Sequence, residues 1–216
     1  MKKAVLFDLD GTLLDTSRDI QRVLNASLKK FSIPEISYEQ TLRYVGNGAK
    51  LLVERAAAGC DREVIKKIYA DFSERFPLCD NSLTTLYAGE DEVLRDLKDR
   101  GIKMAIVTNK PQKAAENAVE KHLKKYSFDC VIGQTEGCPL KPDPSSTLSV
   151  IKRLGLIASE CVFVGDGETD VITSANAGVD CISVLWGFRS KDELEAAGAK
   201  VFASTYFELK KLILCR

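Results

Sequence analysis

Residues 4–12 of the chain read AVLFDLDGT, an apolar run that ends in two aspartates, a glycine and a threonine. An apolar run without polar alternation is typical of a strand that is covered on both faces. Four similar runs follow along the chain, at residues 103–108, 130–133, 161–165 and 181–185. Together with the first strand, Ala4–Asp8, they predict a parallel sheet buried between helices.

Helical patterns separate the later strands. They occupy residues 90–100, the segment from Pro144 to Gly155, and residues 169–177, and each stops at a glycine, which commonly terminates a helix. Strands that alternate with such helices predict an α/β fold with a doubly wound, parallel, Rossmann-like sheet.

One long stretch interrupts this alternation. Between about residues 17 and 85 we find no strand pattern, and apolar residues recur at helical spacing, as in Ile20, Val23 and Leu24. We therefore predict a Rossmann-like core formed by residues 1–16 and 86–216, with an inserted helical cap domain at residues 17–85.

The composition excludes some classes of protein. Hydrophobic residues make up 45% of the 216 residues and charged residues 29%, which is ordinary for a globular protein and excludes wholesale disorder. Lysine plus arginine and aspartate plus glutamate both number 31, so the formal net charge is zero. This balance argues against nucleic acid as a partner, because nucleic-acid-binding proteins carry a basic field.

We also expect no membrane partner. No window approaches the run of about 18 apolar residues that spans a bilayer, and the segment before Asp8 is too short for a signal-peptide core. The seven cysteines form no C-x-x-C pair and are best interpreted as small buried residues in a reducing compartment. These features predict a cytoplasmic protein, either a monomer or a homodimer.

Polar residues follow several predicted strands, where the ligand crevice of an open α/β sheet lies. A single aspartate after a strand is often a helix N-cap, but a whole set at one edge of the sheet predicts a site. The residues expected at this edge are Asp8, Asp10, Thr108, Lys141, Asp166 and Asp170.

The carboxylates in this set predict a metal ion. Two unit charges about 4 Å apart repel each other by about 4 kcal/mol at an effective dielectric of about 20, so the cluster needs a cation. Oxygen ligands without histidine or cysteine favour Mg²⁺. We predict Asp8, Asp10 and Asp166 as its ligands, with Asp170 binding directly or through a water.

The residue types at this edge suit phosphoryl transfer. An ionised Asp8 would attack phosphorus and form a covalent intermediate. Neighbouring carboxylates would favour the protonated form of Asp10, which could then protonate the leaving oxygen and later take a proton from water. Thr108 and Asn109 would donate hydrogen bonds to the phosphoryl oxygens. Lys141 would offset the negative charge of Asp8 and of the phosphate.

Four motifs carry a family resemblance: residues 8–15 (DLDGTLLD), 108–110 (TNK), 141–144 (KPDP) and 165–170 (GDGETD). In order and content they resemble the motifs of the haloacid dehalogenase superfamily, which places a mobile cap where this chain has its helical stretch. The resemblance implies a phosphatase rather than a dehalogenase, because dehalogenase members lack an acid/base aspartate at the position of Asp10. We also count Gly11 and Thr12 of the first motif as substrate-binding residues.

Further segments resemble phosphoglycolate phosphatases in particular. They are residues 44–55 in the helical stretch, and residues 186–190 and 193–199 after the last strand. One departure is Gly167, where relatives often carry serine, so a hydroxyl is missing from the predicted metal loop. We expect Trp186 to pack near the edge of the sheet without a catalytic role.

The Gly46-Asn47-Gly48 loop precedes an amphipathic helix, so its free backbone N–H groups could bind an anion. Closure of the cap would then place Gly46, Asn47 and Gly48 against the carboxylate of a small phospho-acid. The alternative is a plain turn between two helices.

Together these features predict a Mg²⁺-dependent phosphatase that hydrolyses small, phosphoglycolate-like monoesters through an aspartyl-phosphate on Asp8. Its partner would be a small phosphorylated metabolite. A phosphosugar mutase of the same superfamily, a pyrophosphatase or nucleotidase, and a non-catalytic phosphate-binding module are the alternatives.

Overall fold

The computed structural model of the chain describes residues 2–215. Its strands are β1 (Ala4–Phe7), β2 (Leu14–Asp15), β3 (Thr85–Leu86), β4 (Lys103–Pro111), β5 (Cys130–Gln134), β6 (Cys161–Gly165), β7 (Asp180–Val184) and β8 (Phe202–Ala203). Within these residues, six strands form a parallel sheet in the order β5-β4-β1-β6-β7-β8. The expected parallel α/β fold is confirmed, and β1 lies at its centre.

Helices cover both faces of this sheet. The helices are α1 (Ser17–Lys30), α2 (Tyr38–Tyr44), α3 (Ala49–Ala56), α4 (Arg62–Arg75), α5 (Glu90–Asp99), α6 (Gln112–His122), α7 (Ser145–Arg153), α8 (Glu168–Ala177), α9 (Lys191–Ala196) and α10 (Tyr206–Leu214). Because side chains alternate along a strand, Val5 and Phe7 of β1 pack with α5, α6 and α10, whereas Ala4 and Leu6 pack with α7 and α8. The side chains on both faces of β1 are fully buried, which explains why the sequence of this strand shows no alternation of polar and apolar residues.

Helices α1 to α4 and a 3-10 turn at Phe76–Leu78 form a separate layer, which we call the helical insert. Its own apolar cluster includes Leu24, Leu28, Val53 and Phe72, all fully buried. These residues come from α1, α3 and α4, so the amphipathic patterns in this stretch reflect packing among the helices of the insert.

Three strands were not predicted from the sequence. Strands β2 and β3 form an antiparallel pair at the two crossings between the sheet and the helical insert. Strand β8 extends the sheet beside β7. Each of the three has two residues, which is too short for a periodic pattern to appear.

Membrane-spanning segments were also sought in the structure. Among residues 2–215, no helix combines the length and the apolar character needed to cross a bilayer.

Candidate active site

The end of β1 sets the position of Asp8. The backbone N–H of Asp8 donates to Val164 O in β6 at 2.9 Å, so the main chain is still held by the sheet where this side chain projects from its carboxyl edge. Asp166 follows β6 directly, and Asp170 lies in the first turn of α8. Neighbouring parallel strands therefore deliver these carboxylates to one place, as predicted from the strand-end pattern.

Asp8, Asp166 and Asp170 form a buried acidic cluster. Each offers a carboxylate oxygen, and these oxygens lie within 4.8 Å of one another. Asp166 is fixed by Thr12 Oγ1 and by the N–H of Phe188, each donating at 2.8 Å. Thr12 therefore positions a carboxylate, which differs from the substrate contact that the sequence predicted.

Two glycines leave room for the Asp166 carboxylate. A Cβ atom at Gly11 or at Gly187 would overlap the carboxyl group of Asp166. Gly11 also has a φ of +87°, a left-handed conformation that side chains rarely adopt. Gly11 thus gives space to the acidic cluster, where the sequence had suggested a contact with substrate.

Lys141 is the cation of this cluster. Its Nζ donates to Asp170 Oδ1 at 2.7 Å and to Val107 O at 3.0 Å, and it lies 2.9 Å from Asp8 Oδ1. Burial alone would lower the pKa of Lys141, but the charges of Asp170 and Asp8 outweigh burial and raise its pKa. Lys141 is therefore a fixed positive charge and not a solvated surface residue.

The acidic cluster carries more negative charge than Lys141 balances. Burial, followed by the charges of Asp8 and Asp170, raises the pKa of Asp166 to about 8. Burial also raises the pKa of Asp8, against the opposing effect of Lys141. Within the described part of the chain, Oδ1 of Asp8 has the ion-pair contact with Lys141 but no hydrogen bond. Buried carboxylates with excess negative charge, one of them with an oxygen that accepts no hydrogen bond, fit a hard divalent cation such as Mg²⁺.

Within residues 2–215, the Asp10 side chain is not one of the three carboxylates of the acidic cluster, so its expected roles as a metal ligand and as an acid kept protonated by neighbouring carboxylates stay predictions. Its Oδ1 accepts from Thr16 Oγ1 at 2.6 Å and from Lys110 Nζ at 2.9 Å, and its Oδ2 accepts from Lys110 Nζ at 3.2 Å. Its carboxylate therefore contacts a lysine and a hydroxyl, where we expected a crowd of carboxylates. Among the described residues, Asp170 takes the place in the acidic cluster that the sequence had suggested for Asp10.

Lys110 is a site residue that the sequence reasoning missed. It is 4% exposed, and its Nζ lies 4.4 Å from the centre of the Phe76 ring at the end of the helical insert. The Thr-Asn-Lys triplet was the available signal, because β4 continues through it to Pro111 and keeps Lys110 inside the sheet.

Asn109 joins the helical insert to the sheet. Its Nδ2 donates to Gly46 O at 3.0 Å and to Lys141 O at 3.1 Å, and its Oδ1 accepts from Lys141 N at 2.8 Å. Both N–H groups of this side chain are thus in use, so the predicted hydrogen bond to a phosphoryl group would have to replace one of these contacts. Thr108 Oγ1 accepts from Lys110 N at 3.3 Å, and its hydroxyl proton is available to a ligand.

A small cavity lies between the edge of the sheet and the helical insert. It encloses about 40 Å³. The sheet contributes Asp8, Asp10, Thr108 and the residues that follow it, and the insert contributes Ile20, Val45, Gly46, Gly48, Ala49, Leu52 and Phe76. Gly46 and Gly48 therefore line the same cavity as Asp8, and their contact with a substrate stays a prediction. Asn47 faces another cavity, where its Oδ1 accepts from Arg55 Nη1 at 2.8 Å.

Comparison with known proteins identifies the family. A family model described as haloacid dehalogenase-like hydrolase matches residues 5–184. Phosphoglycolate phosphatase 1 of Pseudomonas aeruginosa is 35% identical over 195 residues, covering 87% of this chain and 71% of that protein. The phosphoglycolate phosphatase of Colwellia psychrerythraea is 30% identical over 215 residues, covering 96% of this chain and 95% of that protein. A crystal structure of a protein from Lactobacillus delbrueckii subsp. bulgaricus has a TM-score of 0.90 and 32% identity, with 99% of each chain covered. The chain therefore belongs to the haloacid dehalogenase-like hydrolase family.

Proposed function

We propose that this protein is a Mg²⁺-dependent phosphatase of small phosphate monoesters, with 2-phosphoglycolate as the first candidate substrate. The observation that carries the proposal is the buried acidic cluster of Asp8, Asp166 and Asp170 against Lys141, with Asp10 on the rim of the same cavity. The named activity of the relatives from P. aeruginosa and C. psychrerythraea supports the choice of substrate.

Asp8 is the proposed nucleophile. One carboxylate oxygen of Asp8 bonds to phosphorus while the bond from phosphorus to the ester oxygen breaks, which leaves an aspartyl-phosphate and an alcohol. Its position at the end of the central strand keeps the carboxylate rigid, so little orientation has to be acquired in the transition state. Lys141, 2.9 Å from Asp8, stabilises the charge of the transferred group.

Asp10 is the proposed acid and base. It gives a proton to the leaving ester oxygen and then takes a proton from the water that attacks the aspartyl-phosphate, which regenerates Asp8 and releases phosphate. In the structure Asp10 is paired with Lys110 and Thr16, which orient its carboxylate toward the cavity. The hydroxyl of Thr108 is placed to donate to a phosphoryl oxygen in the same cavity.

A Mg²⁺ ion held by the acidic cluster would neutralise charge on the phosphoryl oxygens and on the carboxylates that surround them. Asp8, Asp166 and Asp170 are the residues that fit this ion. Thr12 and Phe188 keep Asp166 turned toward it. The ligand set differs from the one predicted from the sequence because Asp10 is engaged by Lys110.

The helical insert serves as a cap that selects small esters. The cavity of about 40 Å³ has room for roughly three waters, since one water needs about 10–15 Å³. A phosphate ester is larger, so the insert has to move for a substrate to enter and can close again only over a small leaving group. Apolar residues of the insert, including Leu52 and Phe76, then exclude competing water from Asp8.

Phosphate release from a panel of compounds tests this proposal. The panel contains 2-phosphoglycolate, sugar phosphates, nucleotides and pyrophosphate, each with Mg²⁺ and with chelator, for the wild-type protein and for Asp8→Asn. We expect metal-dependent turnover, highest for the smallest monoester, and a loss of at least about 1,000-fold in Asp8→Asn, whose amide is a poor nucleophile.

The other outcomes distinguish the alternatives. Faster turnover of pyrophosphate or nucleotides would reassign the substrate. Turnover that needs a bisphosphate activator and transfers phosphate between sugar hydroxyls would indicate a mutase. Full activity of Asp8→Asn would refute the covalent mechanism.

A further inference from the structure

The segment Trp186–Arg189 was singled out in the sequence, and so far only Gly187 and the Phe188 N–H have been given a role, both of them beside Asp166. It follows β7 and runs beneath the acidic cluster toward the helical insert. Arg189 ends this segment and is 8% exposed, which is low for an arginine. A buried guanidinium has to be compensated by hydrogen bonds, so its partners indicate what it does.

Arg189 binds both the sheet side and the helical insert. Its Nε donates to the Glu168 carboxylate at 3.0 and 3.2 Å, and Glu168 begins α8 two residues after Asp166. On the other side, its Nη1 donates to Leu42 O at 2.8 Å and its Nη2 to Val45 O at 2.6 Å. The rigid fork of arginine makes these contacts together, which lysine cannot do.

The two carbonyls that Arg189 binds belong to the end of α2. The last carbonyls of a helix lack partners within the helix, and a cation there also interacts favourably with the helix dipole. Val45 is followed by Gly46, which lines the cavity above Asp8. Arg189 therefore fixes the point from which the Gly46–Gly48 loop enters the active site.

The same segment contacts the acidic cluster. Phe188 donates its N–H to Asp166 Oδ2, and Gly187 has to be a glycine because a Cβ would overlap Asp166. The Phe188 side chain packs against the apolar cluster of the helical insert. Three consecutive residues thus connect a proposed metal ligand to the insert.

We propose that Arg189 is a positioning residue that holds the helical insert closed, with the Gly46–Gly48 loop over Asp8 and the adjoining Phe188 N–H on Asp166. This inference rests on the proposed phosphatase function for its kinetic consequences. The closed position itself depends on the contacts of Arg189 and not on the identity of the substrate. Arg189 acts through the loop and through Phe188, without touching the reacting atoms.

Two measurements on Arg189→Met and Arg189→Lys test the proposal. The first is hydrogen–deuterium exchange of residues 42–49 in the presence of Mg²⁺ and inorganic phosphate. Arg189→Met should exchange at least about fivefold faster there, with α4 and the sheet strands unchanged, because the loop loses its anchor to the sheet side. The exchange rate of residues 42–49 in Arg189→Lys should lie between those of Arg189→Met and the wild type, because a lysine ammonium can replace only some of the hydrogen bonds of the guanidinium.

The second measurement is the steady-state kinetics on 2-phosphoglycolate. Arg189→Met should raise KM at least about tenfold and lower kcat, since closure both retains the ester and excludes water. Arg43→Met is the matched control, because Arg43 is exposed on the same helix, next to Leu42, and its loss removes the same charge. It should match the wild type in exchange and in both kinetic constants.

A second variant covers the case in which Arg189→Met is generally unstable. Glu168→Gln weakens the anchor of Arg189 on the sheet side while leaving its two carbonyl contacts, and it should speed exchange of residues 42–49 alone, by a smaller factor. Two results would overturn the proposal. One is that residues 42–49 exchange at the wild-type rate in both Arg189→Met and Glu168→Gln. The other is that exchange becomes faster evenly over the whole chain in both variants. If the wild-type protein cleaves no ester, the proposed function fails, and the exchange experiment still decides the role of Arg189.

Discussion

Lys110 shows how one buried side chain connects the two parts of the active site. Its ammonium contacts both carboxylate oxygens of Asp10 and lies over the ring of Phe76 at the end of the helical insert. An ammonium over an aromatic face is attracted by the ring, and more strongly when water is excluded. Lys110 therefore orients the proposed acid and base while the insert is in place.

Replacing Lys110 by methionine should separate orientation from binding. We expect Lys110→Met to lower kcat by about 10- to 100-fold, because an acid or base that is not positioned loses much of its contribution. KM should change much less than kcat, since the acidic cluster and Lys141 are untouched. Steady-state phosphate release measures both constants, and Lys113→Met, which removes an exposed lysine on α6, is the control. A rise in KM without a change in kcat would assign Lys110 to substrate binding instead.

The residue types at the strand ends were enough to predict most of the site. They did not predict contacts with residues that are distant in the sequence. Asp8, Asp166 and Lys141 were predicted because a carboxylate or a lysine at the edge of a buried sheet has few structural reasons to be there. Lys110 was missed although its triplet had been noted, because its contact with Phe76 is made by a residue that lies 34 positions earlier in the chain. The occupied amide of Asn109 depends in the same way on Gly46.

Glu90 is a buried carboxylate outside the active site, and it should make the stability of the fold depend on pH. Burial raises the pKa of Glu90 from 4.5 to about 8, and in the described structure its Oε1 has no hydrogen-bond partner. The folded state therefore keeps the proton over a pH range in which the unfolded chain has lost it. This contribution is full below about pH 4.5 and is lost as the pH rises toward about 8.

The variant Glu90→Gln should remove that pH dependence. At pH 8.5 we expect it to unfold with a free energy higher than that of the wild type by roughly 1–4 kcal/mol, because no buried charge has to form. At pH 5 the two proteins should be nearly equal. Urea unfolding in chelator at both pH values measures the difference, with Glu92→Gln, on the exposed side of α5, as the control. An equal effect of Glu90→Gln at both pH values would contradict the assignment.

At the scale of elements, the length of a strand decided whether it could be predicted from the sequence. Strands of four or more buried residues, such as β1 and β6, were predicted almost to the residue because they show an apolar run. Strands β2, β3 and β8 have two residues each and exist only because a partner strand lies beside them. Strand β4 runs on to Pro111 for a related reason, since its last residue pairs with Gln134 of β5 after a shift in register.

The two chain crossings between the sheet and the helical insert are held by Asp19 in the first turn of α1. We expect Asp19→Asn to weaken the hydrogen bonds at these crossings. Asp19 is 1% exposed, and it accepts from Leu83 N at 3.0 Å, Thr84 Oγ1 at 2.7 Å and Arg22 Nη2 at 2.7 Å. In asparagine an amide nitrogen takes one of the two oxygen positions, so it faces either the Arg22 guanidinium or the pair of donors from Leu83 and Thr84, which costs about 1–3 kcal/mol. Urea unfolding should show this loss, together with faster hydrogen exchange at residues 81–86.

The control for this experiment is Glu35→Gln, which removes an exposed carboxylate from the loop between α1 and α2. It should leave both measurements at the wild-type values. Equal stability of Asp19→Asn and the wild type would show that the crossings are held by the β2–β3 pairing alone.

At the scale of the whole molecule, the active site lies where the two apolar cores meet. Polar contacts join the sheet core to the helical insert around this site: Asn109 to Gly46, Arg189 to the end of α2, and Lys110 over Phe76. Polar contacts at a domain boundary can be broken and remade at lower cost than a buried apolar interface. These contacts are therefore the ones that the proposed opening of the helical insert has to break.

The same site should make the stability of the whole fold depend on Mg²⁺. Folding buries Asp8, Asp166 and Asp170 with Lys141 as their cation, and a metal that binds only the folded state stabilises it by mass action. At a concentration 100 times the Kd this gain is about 2.7 kcal/mol, or roughly 5–10 °C in Tm for a domain of this size. Asp166→Asn should lose this shift while melting at or above the wild-type temperature in chelator, because folding no longer has to bury or protonate this carboxyl group, whose pKa is raised to about 8. Calorimetry with Mg²⁺ and with chelator tests both halves, and Asp192→Asn, an exposed aspartate on α9, should keep the full shift. If Mg²⁺ still raised the Tm of Asp166→Asn by the full amount, the ion would bind elsewhere in the molecule. If Asp166→Asn instead melted below the wild type in chelator, the hydrogen bonds from Thr12 and Phe188 to Asp166 would outweigh the cost of burying its carboxyl group.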